Sequence, residues 1–143
     1  MSCVFCRIVA AELPAHIVYE DDQVMAIMDA GHVNPGHTLV LAKTHVETLE
    51  DAGEDLAAHA FRIANRIAKA MQQAHPAEGS TVLQANRPAG FQTVPHFHLH
   101  VLPRHTDDGV DLEWPVKNPP QDVLAANAQA LRKVLKERGG TNS

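Results

Sequence analysis

The feature of this sequence that most restricts its fold is a stretch of alternating histidines and apolar residues. Residues 96–101 read His-Phe-His-Leu-His-Val. Successive side chains of a β-strand point to opposite faces, so as a strand this stretch places its three imidazoles on one face and its three apolar side chains on the other. The apolar face can be buried in a core while the imidazoles line a site.

Length and charge limit the class of protein. The 143 residues fit one domain, predicted over residues 1–138, with a mobile tail at 139–143. The net charge of −5, with histidines neutral, argues against a nucleic-acid polymer as partner, although a single nucleotide needs only a local site. No apolar run approaches the roughly 18 residues of a membrane helix, and Arg7 and Glu12 interrupt any leader-like run. We therefore expect a cytoplasmic protein with no membrane partner.

The remaining patterns predict an α+β fold with a mainly antiparallel five-stranded sheet. Apolar residues at helical spacing over residues 56–71 predict one long helix that packs on the sheet and ends near His75. Asp51 and Glu54 suggest a capping box at its start. A C-terminal helix is predicted at about residues 120–138. The predicted strands are residues 16–20, 23–29, 38–42, 80–85 and 96–103.

Two turns connect the first three strands. Asp21 and Asp22 form a tight turn that joins the first two strands into a hairpin. Residues 34–37 read Asn-Pro-Gly-His, which predicts a type II turn because proline presets the first central residue and glycine supplies a positive φ at the second. The third strand is nearly all apolar and is therefore expected to be central.

The histidine face has three possible roles. It could be a half-exposed surface with solvated imidazoles, or a catalytic metal site built from two or three of them. It could also serve nucleophilic catalysis, in which one imidazole attacks phosphorus while neighbours bind the phosphate oxygens. The polar loop residues Asn86, Gln92 and Thr93 come shortly before the strand and support the third role.

The histidine stretch and several motifs around it resemble one known family. Residues 96–102 match the histidine triad signature, His-φ-His-φ-His-φ-φ, where φ is apolar. The resemblance also includes the N-terminal Cys-x-x-Cys pair, residues 35–40 and residues 92–95. The chain is similar to the bacterial branch of the histidine triad (HIT) family, near its Hint-like and Fhit-like members. The resemblance implies a HIT-like fold with its core in residues 1–105.

This resemblance implies a covalent mechanism on a purine nucleotide. His98 would attack the α-phosphorus of a nucleoside phosphoramidate, acyl-nucleotide or dinucleoside polyphosphate, and water would then release the nucleoside monophosphate from the nucleotidyl-histidine. No metal is required for this chemistry. The resemblance further implies phosphate contacts from His100 and Asn86, a place in the histidine cluster for His37, leaving-atom contacts from Gln92 and Thr93, ribose contacts from Asp29, and a base slot formed by Phe5, Ile8 and Ile27.

Two details leave alternatives open. The three apolar residues of the implied base slot fit equally well as ordinary core residues. The family usually places glycine directly before the glutamine of the phosphate loop, whereas here Phe91 lies between Gly90 and Gln92. Phe91 therefore either helps to select substrates or packs outward.

Cys3 and Cys6 have the spacing of half a zinc site, although both also fit as small core residues. In a reducing compartment they are expected to be thiols. His45, at the end of the third strand, and His96 are candidates for the two further ligands. Several bacterial HIT proteins hold zinc with such a Cys₂His₂ set, so the resemblance implies a structural zinc that attaches the N-terminal segment to the sheet.

The resemblance also implies a homodimer in which the sheet continues across the two-fold axis. Two other functions compete with a histidine-nucleophile hydrolase or transferase. One is a non-catalytic nucleotide-binding or zinc-stabilised interaction protein. The other is a metal-dependent hydrolase that uses the triad as ligands.

Overall fold

The structure of the chain, a computed structural model, describes residues 3–139. The chain forms two compact units, of which the first ends at Val110 and the second begins at Asp111. The first unit contains the sheet, the long helix and every predicted site residue. The prediction of one domain over residues 1–138 stays a prediction.

The first unit is built on one antiparallel sheet. Its elements are, in chain order, α1 (Val4–Val9), β1 (Ile17–Glu20), β2 (Val24–Met28), β3 (Thr38–Ala42), α2 (Leu49–Ala74), β4 (Gly79–Gln84), a 3₁₀ turn (Pro88–Gly90) and β5 (His98–Arg104). The strands lie in the order β1-β2-β3-β5-β4, and every adjacent pair is antiparallel. This confirms the predicted five-stranded sheet, with the fully buried β3 at its centre.

One face of the sheet packs against α2 and forms the larger part of the core. The apolar side chains that alternate with the histidines, Phe97, Leu99 and Val101, are completely buried here. Burying a side chain of this size stabilises a fold by about 1.5–3 kcal/mol. The other members of this cluster are Val24, Ala26, Val40, Ala42, Ala60, Ile63, Ala64 and Met71.

The opposite face of the sheet is covered by the short helix α1. Phe5 packs there on a second apolar cluster of strand residues, which are Met25, Ile27, Leu39 and Leu41. In the β3–β5 pairing, Leu41 lies opposite His98 and Leu39 lies opposite His100. The predicted alternation is therefore confirmed, because the last two triad histidines share the face that α1 covers.

The predicted start of the histidine strand is wrong. Regular β3–β5 pairing begins at His98, whereas the strand was expected from residue 96. The His96 amide donates to the carbonyl of Val94 at 2.8 Å, which closes a tight local turn. Phe97 then bonds through its backbone to Val46 and Ala42, so the chain is already extended before the ladder begins.

The start of the long helix also differs from the prediction. The helix spans 26 residues and begins at Leu49, earlier than the apolar spacing indicates. The capping box of Asp51 and Glu54 is wrong: Thr48 is the N-cap residue, and its Oγ1 accepts from the Asp51 amide at 3.2 Å. Gly53, with φ +79° and ψ 165°, interrupts the helical backbone. The turn before Gly53 is therefore not continuous with the regular helix that carries the apolar spacing from Leu56 onward.

The turn before β3 is formed as predicted. The His37 amide donates to the Asn34 carbonyl at 3.1 Å, and Gly36 has φ +98°. The positive φ favours glycine, and a Cβ at Gly36 would also lie 3.1 Å from the His75 ring, which would have to shift slightly. This turn determines where His37 enters the sheet.

The described part of the second unit, residues 111–139, contains one helix, α3 (Gln121–Gly139), which confirms the predicted C-terminal helix. Residues 140–143 of the predicted mobile tail lie outside the described residues. Within residues 3–139, no helix is both long and apolar enough to cross a membrane.

Candidate active site

A cavity of about 540 Å³ lies between α1 and the face of the sheet that carries the histidines. Its wall combines an apolar side with a polar side that contains one carboxylate and two triad imidazoles. Seven residues predicted for the site line it, namely Phe5, Ile8, Ile27, Asp29, Thr93, His98 and His100. The structure thus brings most of the predicted nucleotide site into one place.

His98 is held with one ring nitrogen free. Its Nδ1 lies 2.7 Å from the backbone carbonyl of His96. A carbonyl can only accept, so Nδ1 carries the proton and Nε2 of the neutral ring keeps its lone pair. Burial lowers the pKa of His98, which favours the neutral ring at neutral pH. His98 can therefore act as a nucleophile or base through Nε2.

A backbone hydrogen bond to His37 determines which ring nitrogen of His100 carries the proton. The Val33 amide donates to His37 Nδ1 at 3.2 Å, so the proton of the neutral His37 ring lies on Nε2. His37 Nε2 lies 3.0 Å from His100 Nδ1 and can donate to it. His100 then carries its own proton on Nε2, which makes that nitrogen a hydrogen-bond donor.

Asp29 is a second neighbour of His37. One carboxylate oxygen, Oδ2, lies 3.3 Å from His37 Nε2, and the other accepts from the Gly31 amide at 2.8 Å. Burial lowers the pKa of His37, although the Asp29 charge opposes this shift. The Val33 amide also occupies the nitrogen that would carry the second proton of an imidazolium. The Asp29–His37 contact is therefore the approach of a carboxylate to a neutral ring, whose Nε2 proton is directed to His100, rather than an ion pair.

The same hydrogen bonds decide whether this group could hold a metal. Ligand atoms of Asp29, His37 and His100 all lie within 4.8 Å of one another. A metal bound to His37 Nε2 would move the ring proton to Nδ1, where it would face the amide hydrogen of Val33 and break that hydrogen bond. The arrangement therefore favours a chain of hydrogen bonds from Val33 through His37 to His100 over a metal site. No group of three potential ligands within residues 3–139 includes His98, so the triad does not converge on one metal.

Two of the predicted phosphate-loop residues use their side chains to shape the loop. Gln92 accepts from the Arg87 amide at 2.7 Å and donates to the Glu47 carbonyl at 2.6 Å. Asn86 accepts from the Leu49 amide at 2.7 Å, which attaches the loop to the start of α2. Neither residue lines the cavity. Their phosphate and leaving-atom contacts stay predictions.

Phe91 packs outward. Its side chain is 88% exposed, and its backbone is left-handed with φ +70°, a conformation that glycine adopts more readily. The aromatic ring does not line the cavity, so replacement of the usual glycine leaves the space beside His98 open.

A second cluster joins the N-terminus to the start of the histidine stretch. Cys3 Sγ and Cys6 Sγ lie 3.3 and 3.6 Å from His96 Nδ1, and His45 Nδ1 lies 3.2 Å from the same nitrogen. A tetrahedral zinc ion with bonds of about 2.0–2.3 Å separates its ligands by about 3.3–3.8 Å. His96 Nε2 donates to the Ala42 carbonyl at 2.6 Å, which leaves Nδ1 free to bind a metal. The four predicted ligands therefore fit zinc.

Phe5 connects the two clusters. It lies between the two cysteines in sequence, and its ring meets His98 edge-on with centroids 5.0 Å apart. The same ring lies 5.7 Å from His96 in a similar geometry. An interaction that fixes Cys3 and Cys6 therefore also fixes Phe5, which forms the cavity wall beside His98.

Three contributors to this site could not be identified from the sequence patterns. The Val33 amide and the His96 carbonyl set the protonated nitrogens of His37 and His98, but backbone groups carry no side-chain signature. His16 lines the cavity from the residue before β1, and only its proximity to the predicted hairpin could have indicated this.

Comparison with known proteins identifies the family. The HIT domain matches residues 10–107. The chain belongs to the HIT family. It is 37% identical over 138 residues to protein hit of Bacillus subtilis, covering 96% of this chain and 94% of that one. A crystal structure of a HIT family member from B. subtilis superposes with a TM-score of 0.87 at 32% identity, covering 93% and 96% of the two chains. The predicted HIT-like fold is thus confirmed.

Three further HIT relatives bear on metal and chemistry. A Zn-bound histidine triad family protein from Mycobacterium smegmatis has a TM-score of 0.73 and 39% identity, covering 82% of this chain and 85% of that one. Adenosine 5′-monophosphoramidase HNT1 of Saccharomyces cerevisiae is 32% identical over 124 residues, covering 86% and 76%. Adenylylsulfatase HINT3 of Arabidopsis thaliana is 33% identical over 106 residues, covering 74% and 54%.

The protonation of His100 gives a testable consequence of this geometry. Burial, with smaller contributions from His98 and His37, lowers the pKa of His100 from 6.5 to about 4. In the unfolded chain, His100 becomes protonated as the pH falls through 6.5, whereas in the folded chain it stays neutral until about pH 4. His100 therefore lowers the free energy of unfolding at pH values below 6.5 and has no effect on it well above 6.5. In NMR titrations from about pH 8 to about pH 5, the His100 ring should stay neutral. A titration midpoint near 6.5 would contradict the geometry.

Proposed function

We propose that this protein is a nucleotide hydrolase or nucleotidyl transferase in which His98 is the nucleophile. The observation that carries the proposal is the hydrogen bond from His98 Nδ1 to the His96 carbonyl, because it leaves the Nε2 lone pair available on a residue that lines the cavity. The named activities of HNT1 and HINT3 support a reaction at the phosphorus of an adenylyl group. The proposed substrates are nucleoside phosphoramidates, acyl-nucleotides and dinucleoside polyphosphates.

In the first step, the lone pair of His98 Nε2 forms a bond to the α-phosphorus. The bond from phosphorus to the leaving atom breaks, and its electron pair goes to that atom, which takes a proton from solvent when it is an amine nitrogen. The imidazole ring then carries a positive charge. The Nδ1–H bond to the His96 carbonyl becomes charge-assisted, and such hydrogen bonds are roughly twice as strong as neutral ones.

In the second step, water attacks the nucleotidyl-histidine. A new phosphorus–oxygen bond forms, the Nε2–phosphorus bond breaks, and its electron pair returns to the ring. One proton of the water is released to solvent, which balances the proton taken up by an amine leaving group. The reaction thus proceeds through two displacements of lower barrier instead of one difficult displacement. If an acceptor other than water attacks the nucleotidyl-histidine, the protein acts as a transferase.

The remaining cavity residues provide the nucleotide contacts of the proposal. His100 donates from Nε2 to a phosphate oxygen, with its protonation fixed by His37. Asp29 accepts from the ribose hydroxyls, since it is the one carboxylate among the cavity residues. The base, a purine, packs between Phe5, Ile8 and Ile27. Thr93 donates near the leaving atom, whereas Asn86 and Gln92 reach the substrate only if they give up their present hydrogen bonds.

We also propose that Cys3, Cys6, His45 and His96 hold a structural zinc. Four protein ligands leave no open position, so such an ion supplies stability rather than activation of water. It would attach α1 to the start of the histidine stretch and so fix Phe5 beside His98. The homodimer and the cytoplasmic location stay predictions.

Replacement of the nucleophile tests the mechanism directly. His98→Ala should lower kcat/KM for an adenosine phosphoramidate by at least about 1000-fold, because no covalent intermediate can form. Brief incubation with a radiolabelled substrate should label the wild-type protein and not the variant. Circular dichroism and retained AMP binding would control for folding. Substantial turnover by a correctly folded His98→Ala protein would contradict the mechanism.

Metal analysis tests the zinc proposal. Protein purified without chelator should contain about one zinc ion per chain. Cys6→Ser should lose that zinc and lower Tm by at least about 5 °C, because the metal stabilises only the folded chain. His32→Ala, which changes an exposed histidine outside the four ligands, serves as the control and should retain the metal. A zinc content near zero in the wild-type protein would contradict the proposal.

A further inference from the structure

We infer that a second cavity beside the nucleotide site receives the leaving group and favours cationic amines over anionic groups. This inference rests on the proposed function and narrows its substrate class. The second cavity has a volume of about 390 Å³, within the range of small-molecule sites. It shares Val4, Thr93 and Val94 with the nucleotide cavity, so the two spaces adjoin.

The shared wall locates the leaving group. Thr93 lies on both cavities, and the proposed function places its hydroxyl near the atom that departs from phosphorus. A group that leaves past Thr93 enters the second cavity. His45 and Glu47 lie on the wall of that cavity together with Thr93.

Glu47 is fixed relative to the loop that carries Thr93. Its backbone carbonyl accepts from Gln92 Nε2 at 2.6 Å, and the next residue, Thr48, is the buried N-cap of α2. Glu47 lines the cavity, its side chain is exposed, and it is in none of the ion pairs described for residues 3–139. The neighbouring acidic residue, Glu50, instead pairs with Arg87 at 2.9 Å.

The charges around the two cavities discriminate between leaving groups. Asp29 and Glu47 contribute carboxylates, and no lysine or arginine among the described residues lines either cavity. Cys3 and His45 also line the second cavity, but the proposed zinc site has no net charge because its two thiolates balance the ion. Sites that bind phosphate anions usually present arginine or lysine to them. The polyphosphate that leaves from a dinucleoside polyphosphate would enter this space without a cationic partner and beside Glu47. An amine that leaves from a phosphoramidate instead meets a carboxylate.

The bond changes of the amine reaction agree with this placement. The phosphorus–nitrogen bond breaks, its electron pair goes to nitrogen, and the nitrogen takes a proton from solvent. An alkylamine then takes a second proton and becomes an ammonium ion at neutral pH. A cationic group elsewhere on the amine would interact with Glu47 already in the substrate. Affinity for such substrates should therefore depend on Glu47.

A matched series of ligands tests the inference. Adenosine phosphoramidates of n-pentylamine, 1,5-diaminopentane and 5-aminopentanoic acid have similar length and carry a neutral, cationic or anionic tail. Their Kd values are measured by calorimetry on the full-length, metal-loaded His98→Ala protein, which holds them uncleaved. The diaminopentane derivative should bind most tightly and the aminopentanoic acid derivative least tightly. Adding Glu47→Gln should weaken the cationic ligand by about threefold, as expected for an exposed ion pair, and added salt should reduce the difference.

Glu50→Gln in the same background is the matched control, and it should leave the order of affinities unchanged. Equal Kd values for the three tails, or equal effects of the Glu47 and Glu50 substitutions, would overturn the inference. Turnover by the wild-type protein is measured separately with the same series and with a dinucleoside polyphosphate, which should have the lowest kcat/KM. Binding that depends on the charge of the tail, without turnover, would reject the proposed function alone. Turnover without any preference for charge would reject this inference alone. The absence of any binding would reject both.

Discussion

The hydrogen bond from His98 to the carbonyl of His96 is the interaction on which the site depends. It is 2.7 Å long and buried, and a carbonyl cannot reverse its role as acceptor. The other tautomer of His98 would leave that carbonyl unpaired at a cost of about 1–3 kcal/mol. The bond therefore fixes which nitrogen of His98 keeps its lone pair. The first residue of β5 and the backbone carbonyl of His96 are sufficient to set this tautomer, provided that His96 itself is immobile.

His96 is immobilised from both ends of its ring. Nε2 donates to Ala42, and Nδ1 faces the two cysteines and His45. The residue thus joins the proposed metal site to the proposed nucleophile through its own backbone. Phe5 adds a second connection, because it lies between the cysteines and packs edge-on against His98. In this arrangement, stability at the N-terminus and geometry at the cavity depend on the same few contacts.

Much of this organisation could be predicted from the sequence. The alternation in residues 96–101 indicated the shared histidine face, and the turn at residues 34–37 indicated that β3 begins directly after His37. The strand start and the helix cap were wrong for local reasons: a tight turn closes at His96, and Gly53 breaks the helical spacing. The protonated nitrogens of the histidines could not be predicted, because they depend on backbone groups that approach only after the chain folds.

The most direct test of this account is the tautomer of His98 in the folded protein. Nitrogen-15 NMR distinguishes a ring nitrogen that carries a proton from one that carries a lone pair. We predict a protonated Nδ1 and an unprotonated Nε2 for His98 at neutral pH. A protonated Nε2 with an unprotonated Nδ1 would contradict it, because the ring could then neither bond to the His96 carbonyl nor attack phosphorus from the cavity side.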